Sequence, residues 1–173
     1  DPLPPAVDDD LLAQENAFIL ALDGVTDPRN LGAILRTAEG AGATGVLLPR
    51  RRSVHVTPAV TKSAAGAVEH LPIALVSGIP SALERAGRAG VWAIGLDERG
   101  SADLFDLDLA TEPVVLVLGA EGRGLSRLAR ERCDVLVRIP MLGRLSSLNV
   151  ATAAGLAAYE VARRRRGPAT DRV

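Results

Sequence analysis

Three polar, glycine-bearing segments hold the residue types that could do chemistry, and each follows a short apolar run. In DGVTDPRNLGAILRTAEGAGA (23–43), Pro28 makes a turn and Asn30 is a candidate helix N-cap, with Arg36 six residues further along. In LGAEGRGLS (118–126), Gly119, Gly122 and Gly124 let a backbone approach a ligand closely, and Glu121 stands among them. In RIPMLGRLSSLNVATAAG (138–155), Ser146 or Ser147 is the expected cap of a final helix. Ser147 and Asn149 offer short hydrogen-bonding groups there, beside outward-pointing backbone N–H groups. Each segment also has a plain reading: Arg36 as a solvated helix residue, Glu121 as a turn residue and Ser147 as an ordinary cap. In open α/β sheets ligands bind at the carboxyl ends of strands. The pattern therefore describes an α/β enzyme that binds a small ligand among glycine-rich loops.

Several chemistries are excluded by spacing. No G-x-G-x-x-G follows a strand, and no G-x-x-x-x-G-K-[ST] surrounds Lys62, the sole lysine, so both common phosphate-binding loops are missing. His55 and His70 are isolated, and no cluster of His, Cys and acids has metal-ligand spacing, so no metal is expected. A G-x-S-x-G elbow and a Cys/His pair are also absent. Cys133 is the only cysteine and reads as a buried, inert thiol, consistent with a reducing cytoplasm.

The elements that must position these segments follow from hydrophobic runs. AFILAL (17–22), GVLLP (45–49), LPIALV (71–76), VWAIGL (91–96), VVLVLG (114–119) and DVLVRIP (134–140) are too short for helices and continuously apolar, as in strands covered on both faces. Helices are expected between them at about 30–42, 58–66, 79–89, 124–132 and 148–166. Such alternation predicts an α/β fold with a mainly parallel sheet flanked by helices. Residues 1–14, proline-rich and acidic, read as a linker, 15–167 as the folded body and 168–173 as a tail. Because the chain starts at Asp1, it is expected to be a piece of a longer protein.

The net charge of −1 conceals a polarity: residues 1–28 hold seven acids and no base, leaving 20 bases against 14 acids in the rest. That excess, nearly all arginine, suits phosphate but is weak evidence alone. Only four aromatics occur, Phe18, Trp92, Phe105 and Tyr159, too few for a base-stacking sheet. No apolar run approaches the ~18 residues of a membrane span. The final helix is lined by Ala151, Ala153, Ala154, Gly155, Ala157 and Ala158, which fits close packing on the core or on a partner subunit equally well.

Taken together and in this order, DPRNLGAILRTA, LGAEGRGLS and IPMLGRLSSLNVATAAGLAAYE resemble the motifs of the SpoU-type (TrmH-like) RNA 2′-O-ribose methyltransferases of the SPOUT superfamily. The resemblance spans about residues 17–163, and KSAAGAVEHLP (62–72) is similar to the branch that methylates a guanosine ribose in 23S rRNA. It implies a C-terminal trefoil knot, a homodimer, and S-adenosylmethionine as methyl donor. It further implies a donor site at Leu96, Gly119, Ile139 and Leu148, and a polar active site of Asn30, Arg36, Glu121, Ser147 and Asn149. An RNA-binding domain usually precedes the catalytic domain in this family, so 1–14 is expected to link to one. Arg50, Arg51 and Arg52 are candidate RNA-backbone contacts, as are Arg163–Arg166, where capping of a helix C-terminus is the competing explanation. A tRNA ribose methyltransferase would share every motif; a non-catalytic RNA-binding relative and an unrelated nucleotide-binding enzyme are the other readings.

Overall fold

The computed structural model describes residues 6–50, 64–120 and 122–167. Among these residues, seven strands form one sheet: β1 (Phe18–Asp23), β2 (Gly45–Pro49), β3 (Ile73–Val76), β4 (Trp92–Leu96), β5 (Ala102–Asp103), β6 (Val114–Gly119) and β7 (Val135–Arg138). Their spatial order is β3-β2-β1-β6-β4-β7-β5, and every neighbouring pair is parallel. The expected α/β class with a mainly parallel sheet is borne out.

The continuous hydrophobicity of the strands reflects burial on both faces. Phe18, Leu20 and Leu22 of β1, with Val114, Leu116 and Leu118 of β6, enter one core, while Ile19, Ala21, Val115 and Val117 enter the other. Helices α2 (Pro28–Gly40) and α5 (Val150–Arg166) close the first core with Leu31, Ile34, Leu35, Ala154, Ala157 and Val161. Helices α1 (Asp8–Leu12), α3 (Ile79–Arg88) and α4 (Arg127–Arg132) close the second with Leu11, Leu12, Ile79, Leu83 and Ala129. Of the small residues of α5, Ala154, Ala157 and Ala158 pack within the chain, and Gly155 brings α5 close to Thr37 of α2.

Local chemistry moves several expected boundaries. Asp27, not Asn30, caps α2: its carboxylate accepts from Arg29 N at 2.8 Å, and Pro28 occupies the first turn, where its missing N–H costs nothing. Neither Ser146 nor Ser147 caps α5. Asn149 does, accepting from the backbone N–H of Ala151 (2.9 Å) and Thr152 (3.3 Å). Ser126 caps α4, so that helix starts later than expected. Residues 6–12, placed in a linker by composition, pack on the body. Ala6 bridges to Ala74, Leu11 and Leu12 are buried, and Asp8 takes two hydrogen bonds from Arg85 at 2.7 and 3.1 Å. Its three consecutive aspartates sit in the first turn of α1, where the helix dipole favours negative charge. Positions 58–63 of one expected helix lie outside the described residues; Ala67–Glu69 forms a single 3-10 turn after it.

One arrangement matters most for the site. Strand β7 is inserted between β4 and β5, which are consecutive in the chain. The β4–β5 connection therefore crosses the carboxyl end of β7: Asp97 N donates to Val137 O at 3.0 Å, and Arg138 Nη1 donates to the carbonyls of Gly100 and Ser101.

Candidate functional site

A cavity of about 330 Å³ opens where the carboxyl ends of β4, β6 and β7 meet. Leu96, Leu118, Val137, Ile139, Leu148 and Val150 supply its apolar wall, and Asp97, Glu98, Arg99, Arg123, Ser146 and Ser147 its polar groups. Leu96, Gly119, Ile139, Leu148 and Ser147, all expected at a site from sequence, line this one cavity.

The 119–125 loop is shaped by close backbone approach. Ala120 and Gly124 exchange both backbone hydrogen bonds (3.1 and 2.8 Å), and Gly124 takes a left-handed φ of 68°. A Cβ on Gly119 would lie 2.1 Å from the Gly124 carbonyl carbon, so only glycine lets the loop fold back on the end of β6. Asp23, at the end of β1, accepts from Ser126 N at 3.1 Å and ties the far side of the loop down.

Asn149 lies between Leu148 and Val150 of the cavity wall and is joined to Asn30, its Nδ2 donating to Asn30 Oδ1 at 3.3 Å. The first and third sequence segments thus meet through two side chains. Arg36 is exposed on α2 and lines a separate cavity of about 600 Å³ with Thr37, His70 and Tyr159, not the one holding Ser147. Glu121, Arg51 and Arg52 lie outside the described residues; Arg50 is exposed at the end of β2, its N–H bonded to Val76 O. Among the described residues, no group of three or more His, Cys, Asp or Glu is placed to hold a metal ion, and no helix is long and apolar enough to cross a membrane.

The pair Asp97–Arg99 was not singled out from sequence, although DERG directly follows a strand. Arg99 Nε and Nη2 each reach one carboxylate oxygen of Asp97 at 3.1 Å, and the Arg99 N–H adds a 2.8 Å bond. Burial alone would push the Asp97 carboxyl up, but the Arg99 bonds and the charges of Arg99 and Arg130 outweigh it and hold it below its ordinary range. Burial, reinforced by Asp134, Asp23 and Asp97, pushes the Cys133 thiol up to about 12, which suits an inert role.

The C-terminal arginine run divides by task. Arg165 donates to the carbonyls of Asn16, Ala17, Ala110 and Glu112 at 2.6–3.0 Å and lies 5.3 Å from the Phe18 ring centre. It stitches the amino ends of β1 and β6 to α5. Arg163 holds the buried Glu160 through two bonds, and Arg164 reaches Phe105 O at 2.7 Å. These three are structural partners first; Arg163 and Arg166 are the exposed members.

An all-parallel α/β domain with glycine-shaped loops around a cavity at its strand ends is a small-ligand domain. This chain belongs to the SpoU rRNA Methylase family, whose model matches residues 17–159. It is similar to the 23S rRNA (guanosine-2′-O-)-methyltransferase RlmB of Pseudomonas aeruginosa, 47% identical over 148 residues, covering 86% of this chain and 59% of the relative. An uncharacterized tRNA/rRNA methyltransferase of Mycobacterium sp. (strain KMS) is 47% identical over 163 residues, 91% of this chain and 52% of the relative. Among solved structures, the SpoU methyltransferase AviRb of Streptomyces viridochromogenes in complex with AdoMet superimposes with a TM-score of 0.85 at 34% identity, over 96% of this chain and 67% of that one. AdoMet-bound rRNA methyltransferase of Sinorhizobium meliloti gives 0.86 at 34% identity, over 96% and 62%. The family resemblance read from three segments is borne out. The chain spans about three fifths of the length of the curated relatives it matches.

Proposed function

We propose that this domain transfers a methyl group from S-adenosylmethionine to a ribose 2′-hydroxyl of RNA, with a guanosine of 23S rRNA as substrate. The observation that carries the reading is the convergence of Leu96, Gly119, Ile139 and Leu148 with Ser147 on one cavity. Its volume falls within the usual ~300–1,000 Å³ of small-molecule sites, and its apolar wall with a polar margin suits a flat heterocycle bearing a charged tail. The names of the AdoMet-bound structural neighbours support the donor, and those of the RlmB relatives support the substrate.

When bound, S-adenosylmethionine supplies an electrophilic methyl on its sulfonium. The chain's own residues must then hold the ribose oxygen in line with that methyl and help its proton depart. Ser147, on the cavity wall, and Asn149, tied to Asn30, orient the 2′-oxygen. A guanidinium keeps its proton and presents fixed donors. Arg36, exposed on the helix that carries Asn30 and lining the neighbouring cavity, accordingly grips the RNA phosphate. Glu121 completes the set of polar residues assigned to the reaction in this reading.

The reading includes a trefoil knot, supported by the insertion of β7 between β4 and β5, a homodimer, and a cytoplasmic setting. Arg50, with Arg51 and Arg52, contacts the RNA backbone, and an RNA-binding domain precedes the segment ahead of α1 in the longer protein, as the greater length of the relatives supports.

Purified protein incubated with methyl-labelled donor and transcripts of 23S rRNA fragments or tRNA tests the proposal. Label in the 23S fragment, on a ribose that resists alkaline cleavage, is the expected result. Arg36→Ala should lower it by about 100-fold without changing the melting temperature. Label in tRNA alone would move the substrate, and no label together with no donor binding would overturn the reading.

A further inference from the structure

The described cavity lining includes two arginines, Arg99 and Arg123, and they differ in how they are held. Arg123 is exposed between Gly122 and Gly124. Arg99 is clamped: its Nε–Nη2 edge forks onto Asp97, whose side chain is only 2% exposed, while Arg99 itself is 59% exposed. That fork uses one edge of the guanidinium and leaves Nη1 without a hydrogen-bond partner among the described residues. A cation fixed before a ligand arrives loses little side-chain freedom on binding one.

Glu98 lies between these two residues in the chain and lines the same cavity. Asp97 is consumed by Arg99, so Glu98 is the adjacent acid still exposed. A phosphate would be attracted by Arg99 and repelled by Glu98. A zwitterionic α-amino acid group, with one carboxylate and one ammonium a short distance apart, satisfies both.

We propose that Glu98 and Arg99 form the amino-acid subsite of the cavity, Arg99 taking the ligand carboxylate through its unused Nη1 edge and Glu98 taking the ammonium. This assignment rests on the methyl-donor reading above. It leaves the apolar wall from Leu96 to Val150 for the nucleoside, and makes the buried Asp97 a positioning residue that acts through Arg99.

Calorimetric titration with S-adenosylhomocysteine and with 5′-methylthioadenosine tests it, because the second compound keeps the nucleoside and sulfur but lacks the amino-acid group. Arg99→Gln and Glu98→Gln should each weaken S-adenosylhomocysteine, Arg99→Gln by about 10-fold or more, the size expected for a lost charged hydrogen bond. Both should leave 5′-methylthioadenosine within about 2-fold of wild type. Arg99→Lys keeps a cation beside Asp97 while losing the fork, and should show the same selective loss with a near-normal melting temperature. Glu98→Gln leaves the Asp97 clamp intact, so it decides the matter even where Arg99→Gln loosens the fold. Equal losses for both compounds, or no loss in any variant, would overturn the subsite. Wild-type protein binding neither compound is a different result, and would remove the donor reading itself together with this one.

Discussion

Asn149 donates from its amide to the side-chain carbonyl of Asn30 across 119 positions of sequence, while its own carbonyl oxygen caps α5. One side chain thus starts the last helix and ties it to the first turn of α2. Substitutions can separate the two jobs. Asn149→Asp keeps the cap, since Asp and Asn cap about equally well, and loses the donor to Asn30. Asn149→Ala loses both. Urea denaturation should show Asn149→Ala destabilised by about 1–2 kcal/mol and Asn149→Asp by less than about 0.5 kcal/mol. Both should lose methylation in the labelled-donor assay; full activity in Asn149→Asp would show that the link to Asn30 has no role in the site.

Gly119→Ala should be among the most damaging small substitutions, because the added methyl meets the Gly124 backbone and not a side chain that can turn away. A loss of at least about 2 kcal/mol is expected, at the upper part of the usual overpacking range, with loss of donor binding by calorimetry. Gly143→Ala is the matched control. It has no neighbour within 4 Å of the added Cβ and should stay within about 0.5 kcal/mol of wild type.

Arg165 is expected to act on stability and not on RNA. Arg165→Ala takes the guanidinium donor from four carbonyls, of which Ala17 O keeps the Val114 N–H, and removes the cation from the face of Phe18, for a loss of about 2–4 kcal/mol. Arg165→Lys should recover little, because one ammonium cannot span carbonyls that a planar fork reaches from several sides. Equilibrium unfolding measures the loss, and the salt dependence of RNA affinity should be unchanged in the lysine variant.

The Asp97 carboxyl has a definite pH signature. Its folded-state affinity for protons is depressed, mainly because Arg99 overcomes the cost of burial. A depressed carboxyl contributes stability above its unfolded pKa, near ~3.9, and loses that contribution as pH falls through the lower folded value. The stability gap between wild type and Asp97→Asn should therefore be flat from neutral pH down to about 5 and narrow below about 4. Denaturation midpoints measured across that range check it; a gap that widened on acidification would contradict the assigned direction.

Sequence alone was enough for the class of fold and for five residues of the cavity lining. Continuous apolar runs such as VVLVLG can only be strands when both faces are covered, and they placed six of the seven strands within a few residues. Glycine-rich and polar segments at the ends of those runs pointed to Leu96, Gly119, Ser147 and Leu148 through a family likeness, since their pattern lies in residues close together in the chain. β5 escaped because two residues, Ala102 and Asp103, are too few to show a period. Caps were misplaced where several polar candidates crowd one helix start: Asp27 or Asn30, Ser147 or Asn149. Only the final backbone direction selects which oxygen meets the free N–H groups.

What tertiary structure alone decided are the relationships between distant residues. Composition marks residues 1–14 as a linker, yet Leu11 and Leu12 find a core face on α3 and the sheet that no local pattern reveals. Arg163–Arg166 read as one basic run, yet helical spacing points them different ways, so Arg165 turns inward to four carbonyls while Arg166 stays in solvent. Asp97 gains its clamp on Arg99 because the β4–β5 connection must cross the end of β7, a consequence of strand order. Local sequence sets which residues can bond, cap or bury; the order of strands in the sheet sets which of them meet.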